Sequence, residues 1–331
     1  AGRKEVERDG GGLHEIAANK LVRQLGMHVA THFLGEGMIV PIQVGGTVVI
    51  KVAEVMDLEP EISNHPSGQT PDYIRGDQDF CNLTYRYPGT EVEVLKHIDL
   101  HIPVGETLAI MGRVGAGKTT LLKQLVRLID PAPGTVKVDG LNVGDYPLAQ
   151  VRSQIAMVPQ DPFLFGEPLK DNLTYDDPNR TLDLIWDAAM SADLKGTIEE
   201  FPERLDTLVG ERGVTLSGGQ KQRATLARGL IRNAPVLVLD DCFSAVDTET
   251  EEHILSELKR LRRSQTTLMV SHRVSTARHA DRIIVLDEGQ IIEIGTHKSL
   301  LEAGGYYAEL ERVQREGGED DNLAVTRATQ S

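Results

Sequence analysis

The pattern of apolar positions becomes regular from Phe80 onward. Apolar residues at even spacing predict strands with one buried face; they are Val92, Val94, Ile98, Leu100 and Ile102. Short apolar runs then alternate with segments that have helical spacing. These runs are Thr107–Met111, Ile155–Val158, Val236–Leu239, Thr267–Val270 and Ile283–Leu286. Such alternation predicts an α/β fold with a mainly parallel sheet flanked by helices.

The chain before this region has a different pattern. Residues 1–12 are charged and Gly-rich, residues 13–34 are amphipathic, and residues 38–55 are apolar but fit neither helix nor strand. Residues 64–77 are rich in Pro and Gly, as in a linker. We therefore predict an N-terminal extension or linker at 1–76, a folded domain at 77–316 and a flexible polar tail at 317–331.

Composition narrows the function classes. The 331 residues include 35 Lys and Arg against 50 Asp and Glu, a formal net charge of −15. This acidic balance argues against a nucleic-acid binder that acts through bulk charge. The two cysteines, Cys81 and Cys242, give no disulfide framework or metal-ligand spacing, which fits a reducing cytosol. Every apolar stretch is interrupted before it could cross a bilayer, and no secretory signal is visible.

The clearest motif follows the run that ends at Met111. Residues 112–119 read GRVGAGKT and fit the phosphate-loop pattern G-x-x-x-x-G-K-[ST]. Apolar spacing predicts a helix over residues 118–129, whose N-terminus would attract an anion. Lys118 should reach the β- and γ-phosphates, and the Thr119 hydroxyl should bind Mg²⁺. The candidate nucleotide-binding residues are Gly112, Arg113, Val114, Gly115, Ala116, Gly117, Lys118, Thr119 and Thr120.

Two carboxylates end a second apolar run, in the sequence PVLVLDDC at 235–242. Asp240 suits a Mg²⁺ contact of the Walker B type, and Asp241 lies where a carboxylate could polarise the attacking water. Gln160 and His272 likewise follow apolar runs within two residues. Because ligands bind at the carboxyl ends of strands in open α/β sheets, we expect these side chains to share one site.

A third motif identifies the family that this chain resembles. Residues 216–223 read LSGGQKQR, which resembles the signature motif of ABC (ATP-binding cassette) ATPases and lies between the two other motifs in the expected order. The resemblance covers about residues 80–316. It implies a P-loop NTPase of the ABC type, with a RecA-like core, an antiparallel β subdomain and a helical subdomain inserted at about 161–230. It also implies that ATP and Mg²⁺ are bound.

The resemblance assigns further roles. Tyr87 looks like the aromatic that stacks on adenine, and Gln160 like the glutamine that senses Mg²⁺ and contacts the membrane part. His272 looks like the switch histidine near the γ-phosphate. The alternative for Tyr87 is an aromatic residue with a purely structural role, and the alternative for His272 is a structural histidine. Asp247 resembles the loop residue that communicates across a cassette dimer. The signature residues that would contact a partner's nucleotide are Ser217, Gly218, Gly219 and Gln220.

Three segments resemble exporters in particular. They are TLVGERG at 207–213, PFLFG at 162–166, and VAEVMDLEPEI at 52–62, which looks like a join to a membrane helix. They imply an ATP-hydrolysing subunit at the cytoplasmic face of a membrane that powers export. Its partners would be a second cassette and the coupling helices of a transmembrane domain, and no nucleic acid is expected.

One position departs from the family pattern. The family usually has Glu directly after the Walker B Asp, and here the residue is Asp241. Because Asp is one methylene shorter, and a displacement of about 1 Å can cost roughly a hundredfold in rate, we predict a slow site. This favours one half of a heterodimer, while a homodimer with a competent Asp241 remains open. A soluble ABC ATPase acting on nucleic acid or ribosomes, and an ATP-gated regulatory module with little hydrolysis, are the alternative functions.

Overall fold

The computed structural model describes residues 62–64, 70–210 and 213–316, which all lie in one compact unit, Glu61–Ser331. The predictions for residues 1–61, for Glu211 in the TLVGERG segment and for the tail at 317–331 lie outside the described residues. The domain boundary at residue 77 stays a prediction. The residues just before it are docked on the domain, because Ile74 is fully buried and the backbone amides of residues 75–77 donate to the Asp139 carboxylate.

A six-stranded sheet forms the centre of the domain, in the order β10-β9-β3-β8-β7-β6. All neighbouring pairs are parallel except β9 and β10. Each of the five predicted apolar runs is a strand of this sheet, which confirms the mainly parallel α/β core. The strands are β3 Thr107–Gly112, β6 Ile155–Val158, β7 Val236–Asp240, β8 Thr266–Val270, β9 Arg282–Asp287 and β10 Gln290–Gly295.

A second sheet of four antiparallel strands has the order β2-β1-β4-β5. It corresponds to the antiparallel β subdomain that the resemblance implies. Its apolar side chains share a buried cluster with Leu108 and Ile110, which lie on one face of β3. Ala109 and Met111 lie on the opposite face of β3 and belong to the other buried cluster. The strands are β1 Gln78–Arg86, β2 Glu93–Ile102, β4 Val136–Val138 and β5 Leu141–Asn142.

Helices cover both faces of the central sheet and form the inserted segment between β6 and β7. The inserted helices are α3 Leu169–Leu173, α4 Leu182–Ser191, α5 Lys195–Glu200 and α6 Gly218–Leu230. The remaining helices are α1 Lys118–Leu125, α2 Leu148–Gln154, α7 Thr248–Leu261, α8 Val274–Ala277, α9 His297–Ala303 and α10 Tyr306–Arg315.

Helix α1 ends earlier than residue 129, where the apolar spacing places its end. Arg127 has a φ of 49°, and the amides of Leu128 and Ile129 bond back to the carbonyl of Lys123. The Arg127 side chain is buried and donates to the carbonyl of Tyr146. These tertiary contacts end the helix, so the prediction of its C-terminal end is wrong although its start is correct.

Candidate nucleotide-binding site

The phosphate loop joins the end of β3 to the start of α1, and two of its glycines are sterically required. Gly112 has a φ of 136°, and a Cβ atom there would lie 2.0 Å from the carbonyl oxygen of Leu286. Gly117 has a φ of 99°, and its Cβ would lie 2.8 Å from the carbonyl oxygen of Val94. Both positions therefore exclude side chains, and the backbone can curve tightly with its N–H groups accessible to an anion.

Lys118 is the first residue of α1 and is buried. Its Nζ donates to the carbonyl oxygens of Gly112 and Arg113, at 2.7 Å each. The ammonium group is thus held against the loop at the positive end of a helix, where phosphate oxygens are stabilised. The guanidinium of Arg113 carries a buried nitrogen, Nη2, without a hydrogen-bond partner among the described residues. This donor set fits a polyphosphate.

The Walker A and Walker B motifs meet through one hydrogen bond. The Thr119 hydroxyl donates to Oδ1 of Asp240 at 3.0 Å. Burial raises the pKa of Asp240, while the bond from Thr119 and the charges of Lys123 and Lys118 act in the opposite direction. A hydroxyl and a carboxylate are oxygen ligands of the kind that Mg²⁺ prefers, so the pair fits this ion. Bound there, Mg²⁺ would neutralise charge on the phosphates.

Asp241 begins the turn after β7 and has a left-handed backbone, with a φ of 45°. Its amide donates to the carbonyl of Val270 at the end of β8, which fixes the two strand ends relative to each other. Burial, together with the negative charge of Asp240, raises the pKa of Asp241 to about 6. A carboxyl group with such a pKa can accept a proton from water near neutral pH.

The carboxyl ends of several strands meet at a cleft with a volume of about 1040 Å³. Gly112, Gln160, Asp241 and His272 follow or end β3, β6, β7 and β8 respectively, and all four line this cleft. The structure thus brings these four positions to one cleft, which Asp240 does not line, and their roles in a shared site stay a prediction. The other lining residues are Arg113, Val114, Arg273, Val274, Ser275, Arg278, His297, Tyr306, Leu310, Glu311, Gln314 and Arg315.

Tyr87 lies just after β1, beside the start of α1. Its hydroxyl is 3.0 Å from the Thr120 hydroxyl, and its ring meets the ring of Tyr85 edge to face, with centroids 5.1 Å apart. The Tyr87 side chain is exposed. The structure therefore places an accessible aromatic ring next to the phosphate loop, and its contact with adenine stays a prediction.

The signature motif starts helix α6 and does not line the cleft. Ser217 is the N-cap, and its side chain accepts from the amide of Gln220 at 3.2 Å while Gln220 Oε1 accepts from the amide of Ser217 at 2.9 Å. Ser217 and Gly218 are exposed, and Gly219 packs against the carbonyl of Ala245. The capping box presents a rigid helix N-terminus at the surface, which is the geometry of an anion site that a second molecule could complete.

The loop before α7 ends at Asp247, whose side chain accepts from the amide of Thr250 at 2.9 Å. This backbone hydrogen bond lowers the pKa of Asp247. Sequence reasoning missed two residues that hold this loop. Gln222 of α6 bonds to Ser244 and Ala245, and Arg273 bonds to the carbonyls of Ser244 and Val246 and to the buried Glu251. The only signals for these residues in the sequence are that Gln222 lies inside the signature motif and that Arg273 directly follows His272.

The fold and the site define a phosphate-loop nucleotide-binding domain, with the Walker A lysine, the Walker B carboxylates and a signature helix on one chain. A family described as "ABC transporter" matches residues 95–244. Residues 95–244 therefore belong to a domain of the ABC transporter type, as the signature motif predicts.

The matched proteins include a flippase, a putative multidrug export protein and a solved ABC exporter. The chain is 45% identical over 268 residues to the ATP-dependent lipid A-core flippase of Alkalilimnicola ehrlichii, covering 80% of this chain and 45% of the relative. It is 40% identical over 264 residues to the putative multidrug export ATP-binding/permease protein YgaD of Bacillus subtilis, covering 80% and 46%. A solved bacterial Atm1-family ABC exporter with ATP bound superposes with a TM-score of 0.75 at 34% identity, covering 82% and 48%. The chain thus spans about half the length of these proteins.

Proposed function

We propose that this chain is the ATP-binding and ATP-hydrolysing part of an exporter, and that it works at the cytoplasmic face of a membrane. The observation that carries the proposal is the Thr119–Asp240 hydrogen bond, which joins the phosphate loop to the carboxylate at the end of β7. The next residue, Asp241, lines the cleft together with His272 and Gln160. The described residues contain no helix long and apolar enough to cross a bilayer. The exporter names of the relatives favour this function over action on nucleic acid or ribosomes.

The position of the signature helix supports pairing with a second cassette. Ser217 is exposed at the start of α6, a helix of 13 residues, and does not line the cleft to which this chain's own phosphate-loop residues Gly112 and Arg113 contribute. A helix N-terminus that presents a hydroxyl and the positive end of the helix dipole suits the terminal phosphate of a nucleotide bound by another chain. Each site would then combine Walker motifs from one cassette with a signature from the other.

An exposed aromatic surface supports contact with a coupling helix of a membrane domain. Phe163 is 59% exposed, and its ring lies edge to face with that of Phe165, which stacks on Tyr175 at a centroid distance of 4.4 Å. The guanidinium of Arg228 lies over the Phe165 ring. Exposed apolar patches of this kind are typical of interaction sites. Phe163 and Phe165 lie three and five residues after Gln160, which lines the cleft, so we expect a contact at this surface to be transmitted to the cleft.

Asp241 stands where the family usually has Glu, and this favours pairing with a second cassette of different sequence. Replacing Asp241 with Glu should raise Mg-ATP turnover between about ten- and a hundredfold when a signature motif is supplied, because the longer side chain brings the carboxylate about 1 Å closer to the water. The measurement is steady-state phosphate release by the wild type and the variant. Asp241→Asn is the matched control, which removes the charge and should lower turnover.

The same experiment separates the proposal from a second candidate function, an ATP-gated regulatory module, which the residue at position 241 also permits. If Asp241→Glu leaves turnover negligible while Mg-ATP still binds, the regulatory function is correct. If the wild type already turns over ATP rapidly as a pair of identical chains, the homodimer alternative is correct and Asp241 is competent.

Tyr87 provides a test of the nucleotide's orientation. If its ring stacks on adenine, Tyr87→Ala should weaken ATP binding about tenfold, since stacking of a base on an aromatic ring is worth about 1–3 kcal/mol. Isothermal titration calorimetry measures the change. Tyr73, which is 61% exposed, gives the control variant Tyr73→Ala. Equal affinities of the wild type and Tyr87→Ala would mean that Tyr87 is only a surface aromatic.

A further inference from the structure

Both ends of one amide side chain hold the backbone of the loop that carries His272. Nε2 of Gln314 donates to the carbonyl oxygen of His272 at 2.6 Å, and Oε1 of Gln314 accepts from the amide of Val274 at 2.8 Å. The two backbone groups flank Arg273, whose own amide donates to the Ser271 hydroxyl at 2.9 Å. The two hydrogen bonds of the Gln314 side chain therefore fix the peptide units on either side of Arg273.

Gln314 is itself held in place, because helix α10 is fixed at its start. The Glu293 carboxylate of β10 accepts from the amides of Tyr306 and Tyr307. Tyr307 is fully buried, and its hydroxyl bonds to Nδ1 of His297 at 2.8 Å. Leu310 is also buried in the main core cluster. A helix fixed by a carboxylate cap and two core side chains is a rigid support for a residue near its other end.

The same helix forms a wall of the nucleotide cleft. Tyr306, Leu310 and Gln314 line the cleft together with Gly112. The guanidinium of Arg113, in the phosphate loop, lies 5.9 Å from the centroid of the Tyr306 ring, which is a cation–π distance. Helix α10 thus contacts the phosphate loop near its start and the His272 loop near its end.

We propose that Gln314 is a positioning residue for His272, so that α10 is part of the ATPase site. The proposal rests on the proposed function for the role of His272, but the contacts that carry it are independent of turnover. A histidine that must reach a terminal phosphate depends on its backbone position, and an error of about 1 Å can cost roughly a hundredfold in rate. Only a side chain that both donates and accepts can make the two bonds.

The test compares Gln314→Leu with the control Glu309→Gln on the exposed side of the same helix, where Glu309 pairs with Arg312. Amide hydrogen exchange measures the Val274 amide directly. Gln314→Leu should speed its exchange at least about tenfold, because its acceptor is lost, and Glu309→Gln should not. The imidazole NMR signal of His272 should shift or broaden only in Gln314→Leu.

Catalysis provides the second readout. In Gln314→Leu, kcat for Mg-ATP should fall about ten- to a hundredfold, while KM and the melting temperature stay near those of the wild type. Gln314→Glu should behave similarly, because an ionised carboxylate cannot donate to the His272 carbonyl. Unchanged Val274 exchange and an unchanged His272 signal would overturn the proposal, and so would faster exchange with an unaltered kcat. A wild type that shows no turnover even when a signature motif is supplied would refute the proposed function instead, and the exchange and NMR data would still decide on Gln314.

Discussion

Replacing Lys118 with alanine is expected to lower Mg-ATP turnover about a hundred- to a thousandfold. Its ammonium group lies at the positive end of α1, held by the carbonyls of Gly112 and Arg113, where the β- and γ-phosphates would bind. Removing one preorganised donor to developing charge typically has an effect of this size. Binding of ATP should weaken in the same variant, because the lysine also contacts the phosphates of the ground state. Phosphate release and calorimetry measure the two effects.

The control for this prediction is Lys195→Ala. Lys195 is an exposed lysine at the start of α5, 3.8 Å from Glu199, and lies far from the phosphate loop in sequence. This variant should keep the turnover and the ATP affinity of the wild type. If Lys118→Ala binds and hydrolyses ATP as well as Lys195→Ala does, the GRVGAGKT loop is not the nucleotide site. A melting temperature for each variant separates loss of binding from loss of folding.

Replacing His272 with alanine is expected to abolish most turnover while ATP still binds. His272 follows β8 and lines the cleft with Asp241 and Gln160, so its ring can stabilise charge on the terminal phosphate. Positioned side chains that exchange protons or hydrogen bonds in the transition state contribute about a hundred- to ten-thousandfold. The dissociation constant of Mg-ATP and the melting temperature should stay close to those of the wild type.

His253 provides the matched control. It is an exposed histidine on α7, 3.7 Å from Asp193, and His253→Ala should behave as the wild type does. Loss of folding in His272→Ala would show that the histidine is structural. Equal losses of affinity and turnover would show that it binds ATP in the ground state rather than stabilising the transition state.

Much of the central sheet and the cleft could be predicted from the sequence because the signals are local. The run Val236–Leu239 is buried on both faces and leads directly to Asp240, and the glycines at 112 and 117 are imposed by backbone contacts that any side chain would violate. In a parallel sheet the carboxyl ends of the strands share one edge, so motifs in separate parts of the chain converge there. The apolar pattern and the motifs were therefore sufficient to predict the strands and the edge of the sheet at which the motifs meet.

The parts that could not be predicted depend on contacts between distant residues. Helix α1 ends early because the Arg127 side chain is drawn into a buried site against Tyr146, and apolar spacing carries no information on such a contact. Gln314 lies 42 residues after His272, in a helix whose polar face looks like an ordinary solvated surface. Only the folded chain brings its amide to the His272 loop.

The central claim is that a hydrolytic site combines the phosphate loop of one cassette with the signature of another. The direct test mixes two variants of this chain, Lys118→Ala and Ser217→Arg, and measures Mg-ATP turnover over a wide range of protein concentration. The mixed pair contains one intact site, formed by the Walker motifs of the Ser217→Arg copy and the signature of the Lys118→Ala copy. The account predicts that each variant alone is inactive and that the mixture regains part of the turnover of the wild type, which is itself slow because of Asp241. Wild-type turnover in Ser217→Arg alone, independent of concentration, would contradict it.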